Sequence, residues 1–191
     1  MRTSEKLVSA SAFADSKPHY MLLDAMRGVA ALVVIWYHIF EGFAFSGSMN
    51  GVGNGLITTF NHGHTAVDFF FILSGFVIGY AYDERWKAMS TWQFFKRRII
   101  RLHPLVVLGA VFGLTAFLIQ GSVQWDGTSI PAWRTALAFL MAMLLIPAYP
   151  GTAGEVRGNG EMFPLNGPSW SLFFEYIGNI LYALFLRRLT T

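Results

Sequence analysis

Five apolar segments, at residues 25–45, 66–82, 104–119, 135–147 and 170–186, dominate this chain of 191 residues. A helix that crosses the hydrocarbon core of a bilayer needs about 20 residues, with a lower limit near 17. The first, second and fifth segments meet that length and the third is marginal. Segment 135–147 is short enough to be a tilted span, a re-entrant piece or a buried helix. Charged residues make up 13% of the chain, against roughly 25% in ordinary soluble domains. The expected fold is all-α, a polytopic integral membrane helical bundle. No internal repeat is visible, and with no cysteine the chain has neither disulfides nor thiolate chemistry.

The positions of the cations predict topology. Residues 83–103 carry Arg85, Lys87, Lys96, Arg97, Arg98 and Arg101 and read as a cytoplasmic linker. Residues 46–65 and 121–133 have no Lys or Arg and belong outside. Residues 1–20 are polar and lack the apolar run of a cleaved signal, so they read as a cytoplasmic N-terminal segment. The expected location is the cell (inner or plasma) membrane, multi-pass, with the N-terminus in the cytoplasm. Five full spans would leave Arg187 and Arg188 outside. If 135–147 does not cross, that pair returns to the cytoplasm.

Several apolar segments carry polar stripes. Arg27 precedes His38 by eleven residues, close to three helical turns, so both face the same way about 16 Å apart along the axis. Asp24 and Glu41 fall in the same arc. Ionisable groups at membrane depth are costly and usually face a bundle interior or a water-filled path. His38 suits a general base, because imidazole titrates near neutral pH with little tuning. Glu41, three residues on, is placed to orient it. Arg27 reads equally as a cytoplasmic anchor or as a clamp on an anionic donor or developing oxyanion.

In the second segment His64, Asp68, Gly75, Gly79 and Tyr82 share a face, where the glycines would admit a neighbouring helix. In the fifth, Ser171, Glu175, Asn179 and Tyr182 are spaced 4, 4 and 3. A buried glutamate must be protonated, paired or hydrated, so Glu175 needs a cation such as Arg27 or protonated His38, or carries protons. Arg98 and Arg101, one turn apart in KRRIIRLHP, suit phosphate recognition or anchoring to anionic lipid. No metal site is expected, and there is no P-loop, G-x-G-x-x-G or G-x-S-x-G.

Taken together, LDAMRGVAALVVIWYH, GHTAVDFFFILSGFVIGY, FFKRRIIRLHP and PSWSLFFEY resemble, in order, four motifs of the acyltransferase-3 family of integral membrane O-acyltransferases. The resemblance implies transfer of an acyl group, commonly acetyl from acetyl-CoA, to a carbohydrate hydroxyl of a cell-surface polysaccharide or glycolipid. It implies His38 as the catalytic residue, with Arg27 and Glu175 beside it in the catalytic set. Arg98 and Arg101 would serve the acyl-CoA donor, and Glu41, Asp68 and Ser171 would be further polar core. Membrane lipid and a carbohydrate acceptor are the implied partners, with no metal and no nucleic acid. Tyr176 stands where many members carry a second acid. The family domain is also longer, so residues 21–191 read as its N-terminal half, to be completed by further helices or a second chain. Two other readings compete: a proton-coupled transporter or flippase subunit, and an inactive truncated remnant.

Overall fold

The structure, a computed structural model, describes residues 20–45 and 63–189; for 40–45 it describes the backbone only. These residues fall into two compact units divided between Phe70 and Phe71. Among them are five α-helices and no strand, only an isolated antiparallel bridge between Val123 and Ser129.

The first unit holds helix α1, Met21–Phe45, and the opening turns of α2, Gly63–Tyr82. Asp24 lies in the first turn of α1, where a carboxylate complements the helix dipole. Leu22, Val29, Leu32 and Trp36 are exposed on α1, as befits a helix solvated by lipid. At the start of α2, a Cβ on Gly63 would overlap the Tyr37 ring, so only glycine fits there.

The second unit runs from Phe71 onward. A short 3-10 turn, Arg85–Lys87, leads to α3, Thr91–Ile119, whose start is fixed by a capping box. The Ser90 hydroxyl accepts the Gln93 N–H at 3.3 Å, and the Gln93 side chain accepts the Ser90 N–H at 2.9 Å. Most of the expected linker 83–103 is therefore helix. Hydropathy marked the third segment only from Pro104 because charges end an apolar run, whereas the capped backbone carries the helix through them. Pro104 sits inside α3. At 29 residues α3 is about 44 Å long, enough to cross the hydrocarbon and still hold its basic turns at the headgroups.

Helix α3 ends in a Schellman motif: Gly121, with φ +87°, donates to Leu118 O, and Ser122 donates to Phe117 O. Helix α4, Ala132–Met143, ends the same way. There Leu145 takes the left-handed position at φ 56°, its N–H on Ala142 O and the Ile146 N–H on Met141 O. This stop shortens the expected segment 135–147 to a helix of 12 residues, about 18 Å, too short to cross. Residues 144–168 then return as irregular backbone to α5, Ser169–Leu184, which a 3-10 turn, Leu186–Arg188, extends.

Met21–Ile39, Gly63–Tyr82, Thr91–Ile119 and Ser169–Arg188 are long and apolar enough to cross a membrane. In the second unit, Phe117, Ile130, Ala138, Val156 and Leu165 join α3, α4 and the irregular segment. Val106, Leu145 and Phe163 form a middle layer with Leu172, Phe173 and Tyr176. Ile78, Phe94, Tyr182 and Ala183 join α2, α3 and α5. Gly109 and Gly113 let the irregular segment reach α3: a Cβ on Gly113 would overlap the Leu165 carbonyl, and one on Gly109 the Asn166 side chain.

Candidate active site

At the centre of the second unit, Arg98 of α3 points into the protein, only 3% exposed. Its Nη2 donates to Glu175 Oε1 of α5 at 2.8 Å. The Ser74 hydroxyl of α2 donates to the same carboxylate oxygen at 3.0 Å. One carboxylate thus ties three helices. Removing either charge from such a pair strands the other where water cannot solvate it. Arg98 Nε is buried with no hydrogen-bond partner among the described residues, as are Tyr176 Oη and Asn179 Oδ1. Asn179 donates through Nδ2 to the Glu175 carbonyl at 2.7 Å.

The polar stripe of α5 therefore serves several partners. Ser171 stays local, donating to Pro168 O at 2.8 Å. Glu175 takes a cation from α3, a partner 77 residues away in sequence. Tyr182 donates to Asp83 at 2.5 Å and accepts the Trp86 indole N–H at 3.1 Å, while the Arg187 guanidinium lies 4.2 Å from the Trp86 ring. This second knot, unread in the sequence, locks the end of α2 to the end of α5.

Arg98 and Arg101 do not form one fork. Arg98 is engaged internally, while Arg101 is exposed, together with Lys96 and Arg97. In the first unit Arg27 pairs with Asp24 at 3.0 Å. His38 is exposed on α1, its Nδ1 2.8 Å from the Val34 carbonyl and the Tyr37 ring edge-on at 5.4 Å. A carbonyl oxygen only accepts, so Nδ1 carries a proton, and in the neutral ring the lone pair is on Nε2. Asp68 is exposed. The Glu41 side chain lies outside the described residues. Among the described residues nothing lies within 4 Å of where a Cβ on Gly75 would be, and Gly79 meets only Asp83, so no described helix approaches closely at either glycine. On α3, close approaches occur at Gly109 and Gly113, where a glycine pair inside an apolar run was the available signal.

Two arginines outside the basic run organise the irregular segment. Arg134 of α4 donates to the carbonyls of Ala153 at 3.0 Å and Glu155 at 2.7 Å. Arg157 donates to Gln120 and Pro164 O and lies 4.7 Å from the Phe117 ring and 5.3 Å from that of Trp125. The buried Glu155 carboxylate accepts the N–H groups of Arg157 and Gly158. Buried carbonyl and N–H groups of an irregular backbone need partners, and these side chains supply several of them.

Comparison with known proteins fits this arrangement. The profile of the acyltransferase-3 family, described as an acyltransferase domain, matches residues 22–191. The chain is 33% identical over 179 residues to "Protein 2 in picA locus" of Rhizobium radiobacter, covering 90% of this chain and 84% of that protein. It is 27% identical over 171 residues to the acyltransferase MdmB of Streptomyces mycarofaciens, covering 86% of this chain but 38% of that enzyme. The chain thus spans well under half the length of the Streptomyces protein. No solved structure matches significantly.

Proposed function

The chain belongs to the acyltransferase-3 family, and from that premise we propose that it moves an acyl group, acetyl in the simplest case, from acyl-CoA to a carbohydrate hydroxyl. The observation that carries the reading is the His38 ring, whose Nδ1 is committed to the Val34 carbonyl at 2.8 Å. In the proposed reaction Nε2 takes the acceptor's proton as the hydroxyl oxygen bonds to the acyl carbon. The C–S bond breaks, and the imidazolium returns that proton to the departing CoA thiolate. The acceptor gains one acyl group and CoA leaves as a thiol, so the step balances.

Arg27, ion-paired with Asp24, lies on the helix of His38, and the exposed Arg101, with Lys96 and Arg97, supplies cations for the donor's phosphates. Glu175 and Arg98 act as positioning residues, fixing the turn of α3 that carries Arg101. We also place the protein in the cell membrane with its N-terminus in the cytoplasm. The short α4 supports this, since four crossings put residues 83–103 and the Arg187–Arg188 pair on one side.

The test uses membranes containing wild type or His38→Ala at equal abundance, supplied with acetyl-CoA and carbohydrate from the envelope of the expressing cells. Carbohydrate-dependent release of CoA thiol should fall roughly 10²- to 10⁴-fold in the variant, the usual contribution of a general base. An unchanged rate overturns the mechanism.

A further inference from the structure

We propose that Trp125 is a stacking platform for a sugar ring of the acceptor, an inference that rests on the carbohydrate-acylation reading above. Residues 122–130 form a tight hairpin beyond the C-terminal end of α3. Ser122 O accepts the Ile130 N–H at 2.8 Å, Val123 and Ser129 bridge, and Gln124 donates to Thr128 O at 2.8 Å. Gly127, at φ +86°, closes the turn on Gln124 O. The hairpin lies at the opposite end of α3 from the basic turns, the side on which a cell-surface acceptor would stand.

Trp125 sits at the tip and is held from behind. Its backbone N–H donates to Arg157 O at 3.0 Å, and the Arg157 guanidinium lies 5.3 Å from its ring. That guanidinium is itself fixed by Gln120, Pro164 O and the Phe117 ring. Yet Trp125 is 64% exposed. An indole on a hairpin tip, backed by a cation and still widely open, offers a plane to the C–H face of a sugar. Aromatic side chains give such area at little entropic cost.

The competing use of an exposed tryptophan is anchorage among lipid headgroups. The hairpin opposes it. Asp126, next in the chain, is exposed, and the Thr128 N–H at 2.9 Å holds its carboxyl below the usual carboxylate range. Inserting the tip into lipid would carry an ionised carboxylate with it, at considerable cost. Beside a sugar, the same carboxylate is an acceptor for hydroxyl groups.

The test compares Trp125→Leu, which keeps an apolar side chain but loses the plane, with Trp125→Tyr, which keeps a plane. The probe is carbohydrate extracted from the envelope of the expressing cells, with acetyl-CoA as donor. Trp125→Leu should raise the apparent KM for that carbohydrate about tenfold, Trp125→Tyr should stay near wild type, and the KM for acetyl-CoA should not move. Hydroxyl-radical footprinting of wild type in nanodiscs gives a readout independent of turnover. The carbohydrate should protect Trp125 and leave Trp92, at the other end of α3, unprotected. An unchanged carbohydrate KM in Trp125→Leu without protection overturns the platform. So does an indole shielded by nanodisc lipid before carbohydrate is added, which would make it an anchor. Protection of Trp125 in a wild type that transfers no acyl group would support the platform while refuting the transfer reading.

Discussion

Arg98 and Glu175 show what a single residue can and cannot announce. That an intramembrane glutamate needs a partner follows from the cost of burying a carboxylate, and the stripe on α5 made Glu175 visible. The partner's identity was not legible, because any of several cations could have met it and only packing chose Arg98. Since 23% of the Glu175 side chain is exposed and Arg98 is almost fully buried, most of the penalty for breaking the pair falls on the stranded guanidinium. Glu175→Ala should therefore lower stability by about 3 kcal/mol, the low end for a broken buried pair, seen in thermal unfolding of the detergent-solubilised protein. Replacing both charges at once, as Arg98→Met with Glu175→Leu, should recover much of that loss while abolishing any positioning of Arg101. A Glu175→Ala variant as stable as wild type would show that the pair holds nothing together.

Helix boundaries depend on caps and contacts more than on hydropathy. Apolar runs located all five helices, but α3 began thirteen residues before its apolar run, at the capping box of Ser90 and Gln93. Helix α4 stopped before its run ended, at the left-handed Leu145. Gly75 and Gly79 share a face with Tyr82 and look like a docking stripe, while among the described residues the tight approaches on α3 occur at Gly109 and Gly113, where the partner is irregular backbone that has no periodicity to read. Two substitutions separate these cases. Gly113→Ala should destabilise by about 1–3 kcal/mol, since its Cβ overlaps the Leu165 carbonyl. Gly75→Ala, with open space around it, should be neutral or stabilising by up to about 1 kcal/mol through helix propensity. Thermal unfolding of both variants decides the matter, and equal effects would contradict the packing described for α3.

For the whole molecule, the short α4 bears on how loop charge and helix count fit together. Counting five crossings strained the positive-inside rule, whereas four place residues 83–103 and Arg187–Arg188 on one side. Because the chain has no cysteine, single-cysteine variants report topology without background. A membrane-impermeant maleimide should label Asp126→Cys and Asn159→Cys in intact cells, and Lys87→Cys and Arg188→Cys only after permeabilisation. Labelling of Arg188→Cys together with Asp126→Cys would mean that α4 crosses after all. The braces of Arg134 and Arg157 explain how a segment as long as 144–168 stays ordered without regular structure. Nothing in composition foretold them, since an arginine in a loop looks the same whether it is solvated or caps carbonyls. The central claim is that an acyl group reaches carbohydrate through His38. The most direct measurement is mass spectrometry of envelope carbohydrate after membranes are supplied with isotopically labelled acetyl-CoA. Alkali-labile label on carbohydrate with wild type, and its loss with His38→Ala at equal abundance, is the predicted result; equal labelling by both proteins, or none by wild type, contradicts it.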